Sequence, residues 1–167
     1  NTIAGTKDPV ATDLTPRARA FLNAIASVES SGAYDVRYTR QGGTKFTGDQ
    51  HPRIFEPSPN GPSSAAGRYQ FTATTWDALP AAAKGDGRFT PENQDRAAWY
   101  LAQERYKRIT GRDLDADLAQ FGMTAEMAQN LAPTWEGFKN SSGKAISNYN
   151  GSLSRYDREG YKPVNAN

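Results

Sequence analysis

The sequence predicts an α+β fold that is mainly helical and carries one small β-hairpin lobe. Thr15-Pro16 and Thr90-Pro91 each place a hydroxyl N-cap before a proline at the first helical position, a pattern typical of helix starts. Residues 34–38 alternate apolar and polar side chains ahead of Gly42-Gly43, as expected for a hairpin and its turn.

The composition narrows the possible function classes. The 167 residues fit one domain, and the net charge of +2 gives only a slight bias toward anionic partners. The absence of cysteine excludes a disulfide scaffold, a thiolate zinc site and a cysteine nucleophile, and a single histidine excludes a multi-histidine metal site. Leu, Ile, Val and Phe supply only 24 residues, so we expect 24 alanines together with tyrosine and tryptophan to complete the core.

The elements follow in order along the chain. Residues 1–14 lack periodicity and are predicted to form a loosely held N-terminal arm, followed by one domain over residues 15–167. The first helix is expected over residues 17–30, because Phe21, Ile25 and Val28 follow one another at helical spacing. The hairpin is expected within residues 33–56. Further helices are predicted at residues 74–79, 92–109, 114–121, 124–131 and 143–149.

Glu29 is the acidic residue with the most unusual predicted environment. It lies four residues after Ile25 and seven after Leu22, so its own helix places it beside apolar side chains in the last turn. Burial and the negative end of the helix dipole both favour a protonated carboxyl, which suits a general acid. An exposed or ion-paired glutamate remains the alternative, and Glu104 has similar apolar neighbours.

Three short segments carry a family resemblance. They are residues 29–32 (ESSG), 66–71 (AGRYQF) and 147–151 (SNYNG), in that order. Together they resemble the lysozyme-like transglycosylase superfamily, and the chain from about Ala20 to about Trp135 resembles the bacteriophage lambda lysozyme family of phage endolysins. The resemblance implies a lysozyme-like α+β fold whose hairpin lobe flanks an active-site cleft, so that residues 15–167 would form the catalytic domain.

The resemblance also implies a reaction. The substrate would be peptidoglycan, cut at the β-1,4 bond between N-acetylmuramic acid and N-acetylglucosamine, with Glu29 as general acid and base. The muramyl C6 hydroxyl would attack C1 and give a 1,6-anhydro product, so no second carboxylate, cofactor or metal is required. Asp35 and Asp49 are the candidates for a second carboxylate, and both are interpreted as solvated loop residues.

The resemblance assigns substrate-binding roles to a further set of side chains, for which core packing or a surface ion pair is the alternative. The set comprises Ser31, Tyr34, Arg68, Tyr69, Gln70, Trp135 and Tyr149. Arg53 is a further candidate for binding a carboxylate group of the substrate. His51 is interpreted as a structural loop residue.

Two other functions remain open at this point. A hydrolytic muramidase would cut the same bond with water, and a non-catalytic virion module would only bind glycan. The expected partner is the peptidoglycan glycan strand, with no nucleic acid, no membrane insertion and a monomeric isolated domain. The expected site of action is the bacterial periplasm and cell wall, for a phage-encoded endolysin or virion component.

Overall fold

A computed structural model describes residues 8–160 and contains six α-helices and a two-stranded antiparallel sheet. The predicted α+β, mainly helical class with a small hairpin lobe is confirmed. The elements are α1 (Pro16–Glu29), β1 (Val36–Arg37), β2 (Thr44–Lys45), α2 (Ala73–Ala78), a 3₁₀ turn (Ala81–Ala83), α3 (Pro91–Thr110), α4 (Leu114–Phe121), α5 (Ala125–Leu131) and α6 (Phe138–Glu159).

Local capping explains where most of the helices begin. The hydroxyls of Thr15, Thr72, Thr90 and Thr124 each accept a hydrogen bond from a backbone N–H in the first turn of the helix that follows. Proline occupies the first position of α1 and of α3, as the sequence predicted.

The first helix is the centre of the core. All nine residues from position 18 to position 26 are buried, which is the pattern of a helix surrounded by others. α1 packs chiefly against α6 and also contacts α3 and α4. Phe21 packs against both Trp99 of α3 and Phe138 of α6. This packing fixes Glu29, the last residue of α1, relative to the chain entering α6.

The hairpin lobe has less regular structure than the sequence predicted. Val36 pairs with Lys45 and Arg37 with Thr44, and the rest of residues 33–56 is loop. Buried His51 holds that loop: its Nε2 donates to the Phe71 carbonyl oxygen at 2.8 Å, and its Nδ1 accepts from the Arg53 N–H at 3.0 Å. Burial lowers the pKa of His51 and favours this neutral tautomer.

The last helix is longer than the expected one at residues 143–149. α6 runs from Phe138 to Glu159 with a kink at Ser141, and it buries Phe138, Ala145, Tyr149, Ser152 and Tyr156. Its glycines, serines and asparagines have weak helix propensity, so the packing of this face against α1 and α5 stabilises it instead.

The predicted N-terminal arm is partly described. Residues 1–7 lie outside the described residues. Residues 8–14 are tied to the domain instead of loosely held: the backbone N–H groups of Val10 and Ala11 donate to Asp95 Oδ2 at 2.8 and 2.9 Å, and Asp8 pairs with Arg155 at 2.6 Å. Within residues 8–160, no helix is long and apolar enough to cross a membrane.

Candidate active site

Glu29 lies at the end of α1, where the chain turns sharply away from the helix. The N–H groups of Ser30 and Ser31 both donate to the Ala26 carbonyl oxygen, and Ser30 Oγ donates to the Arg68 carbonyl oxygen at 2.6 Å. The second bond ties the helix end to the turn at residues 66–71. The Glu29 carboxyl is therefore held at the junction of α1, this turn and the hairpin lobe.

The environment of Glu29 favours its protonated form. Burial, assisted by the negative charge of nearby Glu136, raises the pKa of the Glu29 carboxyl to about 7. The hydrogen bond that Glu29 Oε2 accepts from the Gly137 N–H, at 2.9 Å, acts in the opposite direction and also fixes the carboxyl orientation. This carboxyl is present in both protonation states near neutral pH, so it is equipped to give and take a proton.

Gly137 makes the close approach to Glu29 possible. A Cβ at this position would lie 2.5 Å from the Val28 carbonyl oxygen and 2.9 Å from Glu29 Oε2. Both distances are too short for a real side chain, so only glycine lets the backbone reach the carboxyl here.

A groove of about 370 Å³ opens in front of Glu29, between the end of α1, the hairpin lobe and the start of α6. Among the described residues, Glu29 is the only carboxylate that lines it. Asp35 and Asp49, weighed as a second carboxylate, do not line it, and Asp49 pairs with Arg88 at 3.1 Å instead. Among the described residues, the groove thus presents one carboxylate for proton transfer.

Two predicted substrate-binding residues do lie in this groove. Ser31 and Gln70 both line it, and both have left-handed backbone conformations, with φ of 60° and 52°. Such φ values are costly for non-glycine residues and often occur at functional sites. Gln70 Nε2 donates to the carbonyl oxygens of Gly67 and Val36, at 2.8 and 3.2 Å, which leaves its side-chain carbonyl oxygen for a ligand.

Five predicted substrate-binding residues lie outside the groove. Tyr34, Arg68, Tyr69, Trp135 and Tyr149 are each at most 3% exposed, so their side chains offer no appreciable surface to a sugar. The structure brings four of them together beneath the groove as its support, and it places Tyr149 elsewhere.

Asp95 organises the support beneath the groove. It accepts hydrogen bonds from the hydroxyls of Tyr34 (2.8 Å) and Tyr69 (2.6 Å), in addition to the two N-terminal backbone groups. The Arg68 guanidinium lies over the rings of both tyrosines, and its Nη2 donates to Asn23 Oδ1 at 2.6 Å. This network fixes the turn that presents Gln70.

Trp135 belongs to the support beneath the groove, whereas Tyr149 lies far from Glu29. Trp135 Nε1 donates to the Tyr69 carbonyl oxygen at 3.1 Å, which connects the support to the segment that precedes Gly137. Burial raises the pKa of Tyr149 to about 12. The charge of Arg17 lowers this pKa and the charge of Asp115 raises it, and these two residues form an ion pair at the start of α1. Arg17 and Glu29 are about 18 Å apart along α1 at 1.5 Å per residue. Tyr149 therefore packs at the end of the core away from Glu29.

Sequence reasoning missed three residues of the site: Asp95, Gly137 and Lys144. Asp95 gives no local signal of its role, and Gly137 and Lys144 lie after Trp135, beyond the stretch from about Ala20 to about Trp135 that carries the resemblance. Arg53, a candidate for a substrate carboxylate, pairs with Asp77 at 2.5 Å on the surface. In residues 8–160, no cluster of His, Asp or Glu is arranged to hold a metal ion.

A family model and two solved structures match this chain. A family model described as Endolysin matches residues 19–151. A solved structure of lysozyme from bacteriophage lambda is similar, with 22% identity and a TM-score of 0.65. Another, bacteriophage lambda lysozyme complexed with a chitohexasaccharide, has 23% identity and a TM-score of 0.62. Each similarity covers 83% of this chain and 95% of the other. No curated protein matches the chain.

Proposed function

Because the chain belongs to the endolysin family of peptidoglycan-degrading phage enzymes, we propose that it is a lytic transglycosylase with Glu29 as its general acid and base. The observation that carries the proposal is the groove with a single carboxylate, whose pKa is raised to about 7. A complex of the similar lambda lysozyme with a chitohexasaccharide supports a glycan strand as the occupant of this groove.

In the first step, protonated Glu29 donates its proton to the oxygen of the β-1,4 bond between N-acetylmuramic acid and N-acetylglucosamine. The bond from the muramyl C1 to that oxygen breaks, and positive charge develops at C1 and the ring oxygen. The proton leaves Glu29 Oε1 or Oε2, and the Gly137 N–H then stabilises the carboxylate that remains. The N-acetylglucosamine end departs with a new hydroxyl group.

In the second step, the muramyl C6 hydroxyl attacks C1 of the same sugar. Ionised Glu29 takes the hydroxyl proton and returns to its starting state, and a 1,6-anhydro bond closes the product. Most hydrolytic glycosidases use two carboxylates, one as acid and one as nucleophile or as base for water. A groove with one carboxylate suits an internal nucleophile that needs no second activating group.

Ser31 and Gln70 are the residues proposed to bind the sugar beside Glu29. Each has its backbone in a left-handed conformation and its side chain in the groove. The Gln70 carbonyl oxygen can accept from a sugar hydroxyl or an acetamido N–H, and the Ser31 hydroxyl can donate and accept. Tyr34, Arg68, Tyr69 and Trp135 would act as positioning residues for this turn.

The test is digestion of purified sacculi followed by mass analysis of the fragments. We expect muropeptides with 1,6-anhydromuramic ends, each lighter by one water than a reducing-end product. Reducing-end products alone would make the protein a hydrolytic muramidase. Glu29→Gln should abolish release of fragments, whereas full release by this variant would remove Glu29 from the mechanism. Binding without release by the wild-type protein would indicate a glycan-binding module.

A further inference from the structure

A second polar basin, of about 420 Å³, lies beside the groove that contains Glu29. The two depressions share three lining residues, Ser27, Ser31 and Lys144, so the basin opens directly from the groove. α6 supplies the far wall of the basin, and Lys144 stands on the boundary, one turn after the kink at Ser141. A substituent that branches from a sugar in the groove would therefore enter the basin past Lys144.

The basin has a positive charge. Lys144 is exposed, and within residues 8–160 no carboxylate lies within ion-pair distance of its ammonium. Arg155 lines the basin farther along α6, where Asp8 and Glu159 neutralise it. Arg68 also lines the basin, and its guanidinium is buried among polar partners. Among the described residues, no carboxylate lines the basin itself. The basin thus favours an anionic group close to Lys144.

We propose that this basin receives the peptide stem of peptidoglycan and that Lys144 determines specificity by binding a carboxylate of that stem. This inference rests on the proposed function and adds a second contact region to the same substrate. The stem branches from the lactyl group of N-acetylmuramic acid, the sugar whose C1 reacts at Glu29. The branch therefore begins beside Glu29, and the basin is the polar depression that adjoins it.

The geometry distinguishes Lys144 from the arginines of the basin. The Arg68 guanidinium donates to Asn23 Oδ1 at 2.6 Å and is almost fully buried. It therefore contributes a fixed positive charge, but its side chain cannot extend to contact a ligand. Both ends of the Arg155 guanidinium already contact Asp8, at 3.0 and 2.6 Å. Lys144 is the basin cation with a flexible, exposed side chain, which suits capture of a carboxylate on a mobile peptide.

The experiment compares two substrates. One is purified sacculi with intact stems, and the other is the same preparation with its stem carboxylates amidated by carbodiimide and methylamine. On untreated sacculi we expect Lys144→Gln to lower kcat/KM about fivefold, mainly through KM, which corresponds to roughly 1 kcal/mol for a partly exposed ion pair. On amidated sacculi, Lys144→Gln and the wild-type protein should be equal. Lys144→Arg should retain most of the wild-type preference for the charged stems.

Lys107→Gln is the matched control, because it removes the same charge from the surface of α3, away from both depressions. It should leave both substrates unaffected. An equal loss with Lys144→Gln on both substrates would overturn the proposal and assign Lys144 to the sugar or to Glu29. No loss on either substrate would also overturn it. If the wild-type protein released no anhydro fragments from either substrate, the transglycosylase proposal itself would fail.

Discussion

Replacing Glu29 by glutamine should stabilise the folded protein while removing its activity. The folded structure raises the pKa of this carboxyl from 4.5 to about 7, because burial disfavours the ionised form. Each pKa unit corresponds to about 1.36 kcal/mol of differential interaction. Holding Glu29 ionised in the folded state therefore costs about 3 kcal/mol, and glutamine would avoid that cost.

The effect has a defined pH dependence. Below pH 4.5 the carboxyl is protonated in both the folded and the unfolded chain, so the wild-type protein and Glu29→Gln should be nearly equal in stability. As the pH rises from 4.5 to about 7, the wild-type protein loses stability, because over this range the unfolded chain releases the proton while the folded chain still holds it. The advantage of the variant should therefore appear across this window and be complete near pH 8. As the pH passes about 7, kcat/KM of the wild-type protein should also fall, since Glu29, the proposed general acid, becomes ionised in the folded state.

Urea unfolding measured at about pH 4 and about pH 8 tests this directly, with the midpoint of Glu29→Gln expected about 1 M higher at the upper pH and unchanged at the lower. Glu126→Gln, on the exposed surface of α5, is the matched control and should shift stability by less than about 0.5 kcal/mol at either pH. Equal midpoints for Glu29→Gln and the wild-type protein at the upper pH would refute the argument that burial holds this carboxyl protonated.

Three further substitutions test the positions that the structure gives to Gly137, Asp95 and Tyr149. Gly137→Ala should cost about 1–3 kcal/mol of stability and lower kcat sharply, because its Cβ would displace the Glu29 carboxyl; Gly143→Ala, where a Cβ meets nothing within 4 Å, should leave both intact. A normal kcat for Gly137→Ala would contradict the described contact. Asp95→Ala should cost about 3 kcal/mol or more in thermal or urea unfolding, because two tyrosine hydroxyls and two backbone N–H groups lose their acceptor; a cost below 1 kcal/mol would show that water replaces it. Tyr149→Phe should retain full activity and stability, because the buried hydroxyl has no hydrogen-bond partner among the described residues; a loss of kcat would place this hydroxyl in the reaction.

The helices that begin at threonine were predictable because their signals are local. A capping hydroxyl and a following proline act within one turn, so the starts of α1 and α3 can be read without knowing the rest of the fold. The full length of α6 was not predictable in this way. Its residues have poor intrinsic propensity, and contacts with α1, more than 100 residues away in sequence, stabilise it.

The difference between local signals and long-range contacts also decides which parts of the site could be predicted. The position of Glu29 followed from the apolar face of its own helix, whereas its hydrogen bond to Gly137 spans 108 residues and leaves no local signal. Tyr34, Tyr69 and Trp135 were expected to contact sugar and instead support the groove from below. Aromatic residues suit both a core and a sugar site, so residue type alone does not separate the two roles.

The packing of α1 against α6 also has a consequence for the order in which the surroundings of Glu29 are synthesised. During synthesis, α1 emerges long before Gly137 and the residues of α6 that enclose it. Until those residues arrive, both the Gly137 N–H that contacts Glu29 and the helix that packs against α1 are missing. Contacts between distant parts of a chain form slowly, because the ends of a long loop must first meet. The surroundings that raise the pKa of Glu29 are therefore incomplete in any chain that lacks Glu136 and Gly137.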